Sequence, residues 1–169
     1  LYLEVVFCTY DTTCPFVEKV WTRGNQIGQN GFTVVIHGKP LHEETRATFS
    51  HSVQQAPTLI VRDREETRIL ADIITGKQDK ERFFEIFGKT CSEAFDPEIH
   101  LDRVGVINQT TMLATETHEI GQLIKKALEE RYGTENIFDH FADTSDTLCY
   151  ASNENQNATY AMINEGADL

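Results

Sequence analysis

The residues of this chain whose types and spacing could do chemistry are two cysteines, two histidines beside an acidic pair, and a run of four amides and hydroxyls. Cys14 immediately precedes Pro15, a residue favoured in the first turn of a helix. Its sulfur is therefore expected at a helix N-terminus, where the dipole and the free N–H groups favour the thiolate, the form that binds a metal. The competing reading is a small buried hydrophobe at a strand end. Cys149 has the same strand-end placement with a weaker local signal. Two cysteines alone cannot close a structural zinc site, and neither belongs to a Cys-x-x-Cys pair, so zinc-finger and thioredoxin readings are excluded. Cys8, inside an apolar run, and Cys91, in a polar connector, read as non-ligands.

His37 and His42 bracket Gly38 and Pro40 and stand five apart, whereas a helical His-Glu-x-x-His zinc motif needs a spacing of four. His42 with Glu44 can instead pair an anion-binding imidazole with a proton-donating carboxyl, provided Glu44 is partly desolvated. The alternative is a solvated helix start. Asn108-Gln109-Thr110-Thr111 places four hydrogen-bonding side chains in succession after an apolar run, either as a binding loop or as a loop that ends in a helix cap.

Short β-rich runs alternate with helical periods along the chain, the pattern of an α/β protein with a parallel sheet flanked by helices. Strands are predicted over residues 2–9, 32–36, 58–62, 104–107 and 137–141. Helices are predicted from Pro15 to the approach of Gly31, from His42 for a few turns, over 64–74, over 80–87, over a long stretch ending before Gly133, and over 154–163; Phe95-Asp96-Pro97-Glu98 reads as a turn. In such a sheet ligands bind at the carboxyl ends of the strands. Residues 12–15, 37–44, 108–111 and 149–152 all follow predicted strands and could face one crevice.

With 15 basic and 27 acidic residues the net charge is −12, which argues against nucleic acid or an anionic membrane surface as the main partner. The acidity is uneven: residues 1–90 hold 11 Lys/Arg against 12 Asp/Glu, and residues 91–169 hold 4 against 15. A phosphate-bearing ligand would meet less repulsion in the first half, and much of the acidity of the second is expected to face solvent away from the crevice. No apolar stretch reaches the roughly 20 residues that span a bilayer. Four cysteines without a paired spacing point to a reducing compartment. Leu1 follows neither an initiator Met nor a signal pattern, and both ends read as cut.

Taken together, Asp11-Thr12-Thr13-Cys14-Pro15-Phe16-Val17-Glu18-Lys19-Val20-Trp21, Ile36-His37-Gly38-Lys39 with His42-Glu43-Glu44-Thr45, Asn108-Gln109-Thr110-Thr111-Met112, and Cys149-Tyr150-Ala151 with Gln156 resemble, in order, the motifs of the 4-hydroxy-3-methylbut-2-enyl diphosphate reductase (IspH/LytB) family. The resemblance covers essentially the whole chain. Residues 62–104, with Phe95-Asp96-Pro97, are similar to the longer form found in plants, cyanobacteria and some other bacteria.

The resemblance implies the central lobe of a three-lobed, trefoil-like reductase with parts of its neighbours: residues 1–14 end the first lobe, 15–145 form the central α/β lobe, and 146–169 begin an incomplete third. It implies reductive dehydroxylation of 4-hydroxy-3-methylbut-2-enyl diphosphate to isopentenyl and dimethylallyl diphosphates, in the methylerythritol phosphate route of isoprenoid biosynthesis. It implies a 4Fe-4S cluster held by three cysteines, Cys14 and Cys149 among them, the third lying outside this chain in a Gly-Phe-Cys segment that Cys8 does not replace. By the same resemblance His42 binds the diphosphate, Glu44 delivers a proton to the leaving hydroxyl, Thr110 and Thr111 position that hydroxyl and relay the proton, and Gln109 joins their hydrogen-bond network. Ferredoxin or flavodoxin would supply the electrons, in bacterial cytoplasm or alternatively in plastid stroma. The isolated segment is expected to be inactive. A reading from another class is a non-catalytic α/β remnant acting as a binding or interaction module.

Overall fold

Helix α1 (Pro15–Gln29) begins at the proline that the sequence marks, with Cys14 as its N-cap, and ends before Gly31, whose φ of 75° turns the chain back into the first strand. The computed structural model describes residues 13–142 and 150–164. The predicted strand over 2–9, Cys8 and Cys149 lie outside the described residues.

The chain continues through β1 (Thr33–His37), α2 (Glu43–Ser52), β2 (Thr58–Val61), α3 (Arg64–Ile74), α4 (Lys80–Phe87), a short α5 (Pro97–His100), β3 (Val104–Asn108) and the long α6 (Ala114–Tyr132). A 3-10 turn (Thr134–Asn136), α7 (Ile137–His140), β4 (Phe141–Ala142) and α8 (Tyr150–Asn164) follow. The four strands are parallel, in the order β2-β1-β3-β4. This is the α/β architecture, a parallel sheet flanked by helices, that the alternating pattern predicts.

All five residues of β1 and of β3 are buried, as a strand covered on both faces requires. Val34, Ile36, Ile60 and Ile107 join Val20 and Ile27 of α1 on one face. Val35, Leu59, Val61, Val104 and Val106 meet Leu70, Phe83, Ile120, Ile124 and Leu128 of the helices on the other. The outer edge of β2 is covered by residues 90–92, where Ile60 N–H donates to the Thr90 carbonyl (2.8 Å) and Ser92 N–H to the Thr58 carbonyl (2.8 Å). Among the described residues no helix is long and apolar enough to cross a membrane.

Three departures from the sequence reading are local. Residues 137–140 form a helical turn that buries Ile137 and leaves Phe138 87% exposed, and only Phe141 and Ala142 pair as strand. The turn at Phe95-Asp96-Pro97-Glu98 opens a four-residue helix capped by the Asp96 carboxylate, and the last helix starts at Tyr150 rather than at 154.

The packing of α1 fixes the direction of its dipole. Ile27 lies on Gly105, and Gly24, three residues earlier, lies against Ile107, so α1 runs antiparallel to β3 and its N-terminus with Cys14 points toward the carboxyl end of the sheet. A Cβ on Gly105 would stand 2.8 Å from Ile27 Cγ2. Gly105→Val is expected to force α1 off the sheet and to cost about 1–3 kcal/mol of stability, read from urea unfolding.

Candidate active site at the carboxyl ends of β1 and β3

The neighbours β1 and β3 are aligned in register from Thr33↔Val104 to His37↔Asn108, so the two strands finish level. From these ends the chain leaves in opposite directions: β1 leads to α2, which packs with α1 on one face, and β3 leads to α6, which packs with α3 on the other. That divergence is the topological switch point at which open α/β sheets form their binding crevice. It is built here from loop 38–42 with the start of α2, and from loop 109–113.

The two loops are joined by named hydrogen bonds. Gln109 N–H donates to the His37 carbonyl (2.8 Å), carrying the strand pairing one residue past the end of β3. The Gln109 side chain then serves three partners: Oε1 accepts from Lys39 N–H (3.1 Å) and from the Thr45 hydroxyl (3.0 Å), and Nε2 donates to Thr111 Oγ1 (2.7 Å). The two donors on one end and the acceptor on the other fix the orientation of the amide. Glu44, in the first turn of α2, is half-buried, and both its oxygens are used: Oε1 accepts from Thr110 N–H (2.6 Å) and Oε2 from the Thr110 hydroxyl (2.9 Å).

His42 is the N-cap of α2, and its Nδ1 accepts from Glu44 N–H at 3.3 Å. Pinning Nδ1 as the acceptor leaves Nε2–H as the donor of the neutral ring, on an exposed side chain beside the positive end of a helix. That is an anion-binding arrangement. The partial burial of Glu44, which the pairing of His42 with Glu44 requires, is present.

The run 108–111 is not spent on capping. The N-cap of α6 is Leu113, which offers no side-chain acceptor, and the polar side chains instead bond Glu44, Lys39, Thr45 and one another. Asn108 Nδ2 donates to the Gln109 carbonyl (2.9 Å), and Met112 N–H closes a turn on that same carbonyl (3.0 Å). Gln156 of α8 reaches the Met112 carbonyl (3.4 Å), which brings a fourth segment to the rim.

The fold thus brings His42, Glu44, Gln109, Thr110 and Thr111 together. Cys14 is exposed, as N-cap of α1, at the same end of the sheet, so the buried-hydrophobe reading of this thiol does not hold. Among the described residues no group of three His, Cys, Asp or Glu side chains could hold a metal ion. Cys91 lies on the far edge, beside Leu59, where burial pushes its thiol up.

Three organising residues carry no role in the sequence reading. Thr45 is fully buried and links α2 to Gln109. Gly38 lets the loops approach, since a Cβ there would lie 2.7 Å from Thr45 Oγ1 and 3.1 Å from Gln109 Cβ. His37 is fully buried with Nδ1 2.9 Å from Thr117 Oγ1. Gly38 is signalled by its place between a strand and a helix start; the other two depend on contacts across 64 and 80 positions of sequence.

A doubly wound α/β lobe with a hydroxyl, amide and carboxylate cluster at its switch point defines the class of protein. The sequence model of the LytB protein family matches residues 3–169, and the chain belongs to that family. Named 4-hydroxy-3-methylbut-2-enyl diphosphate reductases of Prochlorococcus marinus (strain MIT 9515) and Synechococcus sp. (strain CC9311) are each 45% identical over 159 residues, covering 94% of this chain. The chain spans 39% of the length of these relatives. In structure it is similar to the E-1-hydroxy-2-methyl-but-2-enyl-4-diphosphate reductase of Plasmodium falciparum, with a TM-score of 0.55 and 20% identity over 90% of this chain and 36% of that one, a likeness of fold.

His37 makes stability depend on pH. Burial drives its pKa down from 6.5 to about 4, against the opposing pull of the Asp63 carboxylate and the Arg62 backbone. Above 6.5 the ring is neutral in both folded and unfolded chains; as pH falls from 6.5 toward 4 only the unfolded chain takes up the proton, so stability is lost across that window. The expected loss is about 3 kcal/mol. Urea unfolding from pH 7 to pH 4 is expected to show this slope in the native chain and its absence in His37→Asn.

Proposed function

We propose that the complete protein containing this chain reductively dehydroxylates 4-hydroxy-3-methylbut-2-enyl diphosphate to isopentenyl and dimethylallyl diphosphates. In the balanced step the allylic C–O bond breaks, two electrons and two protons enter, and the hydroxyl leaves as water. Family membership and the names of the 45%-identical relatives support the reaction class. The observation that carries the site is the two-point clamp of Glu44 by the Thr110 N–H and hydroxyl, which holds a carboxyl and two threonine hydroxyls at one strand end.

In this reading the exposed His42 takes the diphosphate, through a ring Nε2–H beside the N-terminus of α2. Thr111 and Thr110 orient the substrate hydroxyl, with Gln109 fixing Thr111 and Glu44 fixing Thr110. Glu44 is the proton source: the Thr110 hydroxyl donates to its Oε2 in the structure, and when Glu44 carries a proton the same contact reverses, Glu44 donating to the Thr110 oxygen while Thr110 passes its own proton to the leaving hydroxyl. The 109–113 turn keeps these groups from reorganising when charge develops.

A 4Fe-4S cluster would supply electrons and Lewis acidity when bound. Of its proposed ligands, Cys14 suits the task by donor chemistry: an exposed soft donor at the N-terminus of α1, directed to the crevice end of the sheet. Cys149 is proposed as the second and lies outside the described residues; the third is proposed to come from outside this chain. Ferredoxin or flavodoxin is the proposed electron donor, in the cytoplasm or plastid stroma. The lobe limits proposed are 1–14, 15–145 and 146–169: the sheet and its covering helices fall within 15–142, while Tyr160, Met162 and Ile163 of α8 are each about half exposed, at 48%, 54% and 51%.

In the complete protein, Glu44→Gln is expected to keep substrate KM within a few-fold and the visible absorption of the cluster, and to lower kcat about 100-fold or more. Wild-type turnover in that variant rejects the proton-source role. Cys14→Ser is expected to abolish the broad visible absorption after anaerobic reconstitution; an unchanged spectrum removes Cys14 from the ligand set.

A further inference from the structure

The interior of β1 is Thr-Val-Val-Ile followed by a histidine, and that histidine is as buried as the aliphatic residues before it. Burying an imidazole costs free energy unless its polar atoms are used. Here only one nitrogen is: Nδ1 meets Thr117 Oγ1 at 2.9 Å, while Nε2 has no hydrogen-bond partner and stands 4.0 Å from Glu116 Oε2. A valine or isoleucine would fill a strand end between two helical layers without that cost, so packing alone does not account for a histidine.

What the ring holds is the start of α6. The helices α2, α3 and α4 each begin at a residue whose side chain caps them: His42, Asp63 and Asp79. Helix α6 is the longest among the described residues, at 19 residues, and its N-cap, Leu113, makes no side-chain cap. Loop 109–113 runs directly into that uncapped end. Its entry is fixed by the His37 carbonyl, which accepts from Gln109 N–H at 2.8 Å. Its exit is fixed one helical turn later, where the His37 ring meets Thr117.

We propose that His37 is a positioning residue for the reaction, a single buried side chain and carbonyl that hold both ends of loop 109–113 and thereby set where Gln109, Thr110 and Thr111 present their polar groups. It touches neither substrate nor cofactor. Its effect passes through Thr117 and Gln109 to the Thr110 hydroxyl that meets Glu44. The proposal rests on the reductase reading for its kinetic consequence, but the loop geometry can be read without turnover.

The test uses the complete protein with three variants. His37→Leu removes the ring at similar volume, Thr117→Val removes only its partner, and His37→Asn keeps a hydrogen-bonding group close to the position of Nδ1. His37→Leu and Thr117→Val are expected to lower kcat about tenfold with KM within about twofold, since the displaced groups act on the leaving hydroxyl and the diphosphate contact at His42 is untouched. His37→Asn is expected to recover kcat to within about threefold of wild type. Amide hydrogen exchange at residues 109–111 is expected to accelerate about tenfold in the two impaired variants and not in His37→Asn.

The proposal is overturned if kcat per folded molecule and loop exchange are unchanged in Thr117→Val, or if His37→Asn is as impaired as His37→Leu. Should His37→Leu fail to fold, Thr117→Val alone decides. An assay of the unaltered protein in parallel separates the two ideas: no reduction of the hydroxylated diphosphate there rejects the reductase reading, and exchange at 109–111 then still tests His37. An active unaltered protein with a normal Thr117→Val rejects the role of His37 alone.

Discussion

The site depends on one constraint, the in-register parallel pairing of β1 with β3. Because His37 and Asn108 are the last residues of their strands and stand opposite one another, the two following loops begin at the same height and diverge to opposite faces. A slip of one residue would exchange the two faces of one strand, moving Val35 with its neighbours Thr33 and His37 to the side where Val34 and Ile36 now pack. The packing of the sheet between its two helical layers therefore also sets the level of the crevice. What the loops add is short-range: the Gln109 N–H to His37 carbonyl bond continues the ladder, and the side chains finish the closure.

That closure is polar and nearly complete, which is why it can be buried. Thr45, Asn108, Gln109 and Thr110 are each almost wholly removed from water, yet each has partners, and Gln109 alone satisfies one backbone N–H and two hydroxyls. A half-satisfied network in this place would cost more than an aliphatic filling. The network holds Glu44 through both oxygens while leaving His42 and Thr111 exposed, so rigidity lies beneath the crevice and the ligand-facing groups lie at its surface. Preorganised polar groups of this kind act on developing charge without first having to reorient.

Much of this was legible in the sequence for physical reasons that are local. Pro15 and Gly31 bound α1 and the β-branched runs mark the buried strands, so the alternation and the crevice loops after β1 and β3 follow from composition and period. Residues 137–141 did not follow, because a short apolar run with Ile137 and Phe141 four apart fits a helical turn as well as a strand. The roles of Thr45, Gly38 and His37 were hidden for a different reason. Each depends on what stands opposite after folding, Gln109 or Thr117, and no periodicity encodes a contact across 64 or more positions. The competition between capping and binding at 108–111 was likewise open until Leu113 proved to be the cap position.

Of the acids in the second half, Glu129, Glu130, Glu135 and Asp139 follow α6 to its C-terminal end, which is the far end of the sheet from the crevice, and none of them is buried. Glu119 is paired with Arg64 and Glu130 with Lys77, exposed pairs worth little in stability but effective in muting local field. Glu116, at the start of α6, faces His37, with Oε2 4.0 Å from its Nε2. On the crevice side Arg46 pairs with Glu43, and Lys39, exposed at the rim, has no ion-pair partner among the described residues. A chain of net charge −12 therefore keeps an exposed lysine, an imidazole N–H donor and a helix N-terminus at the one place where a diphosphate is proposed to bind. The acidity governs the surface as a whole, and the order of the strands decides that it does not govern the site.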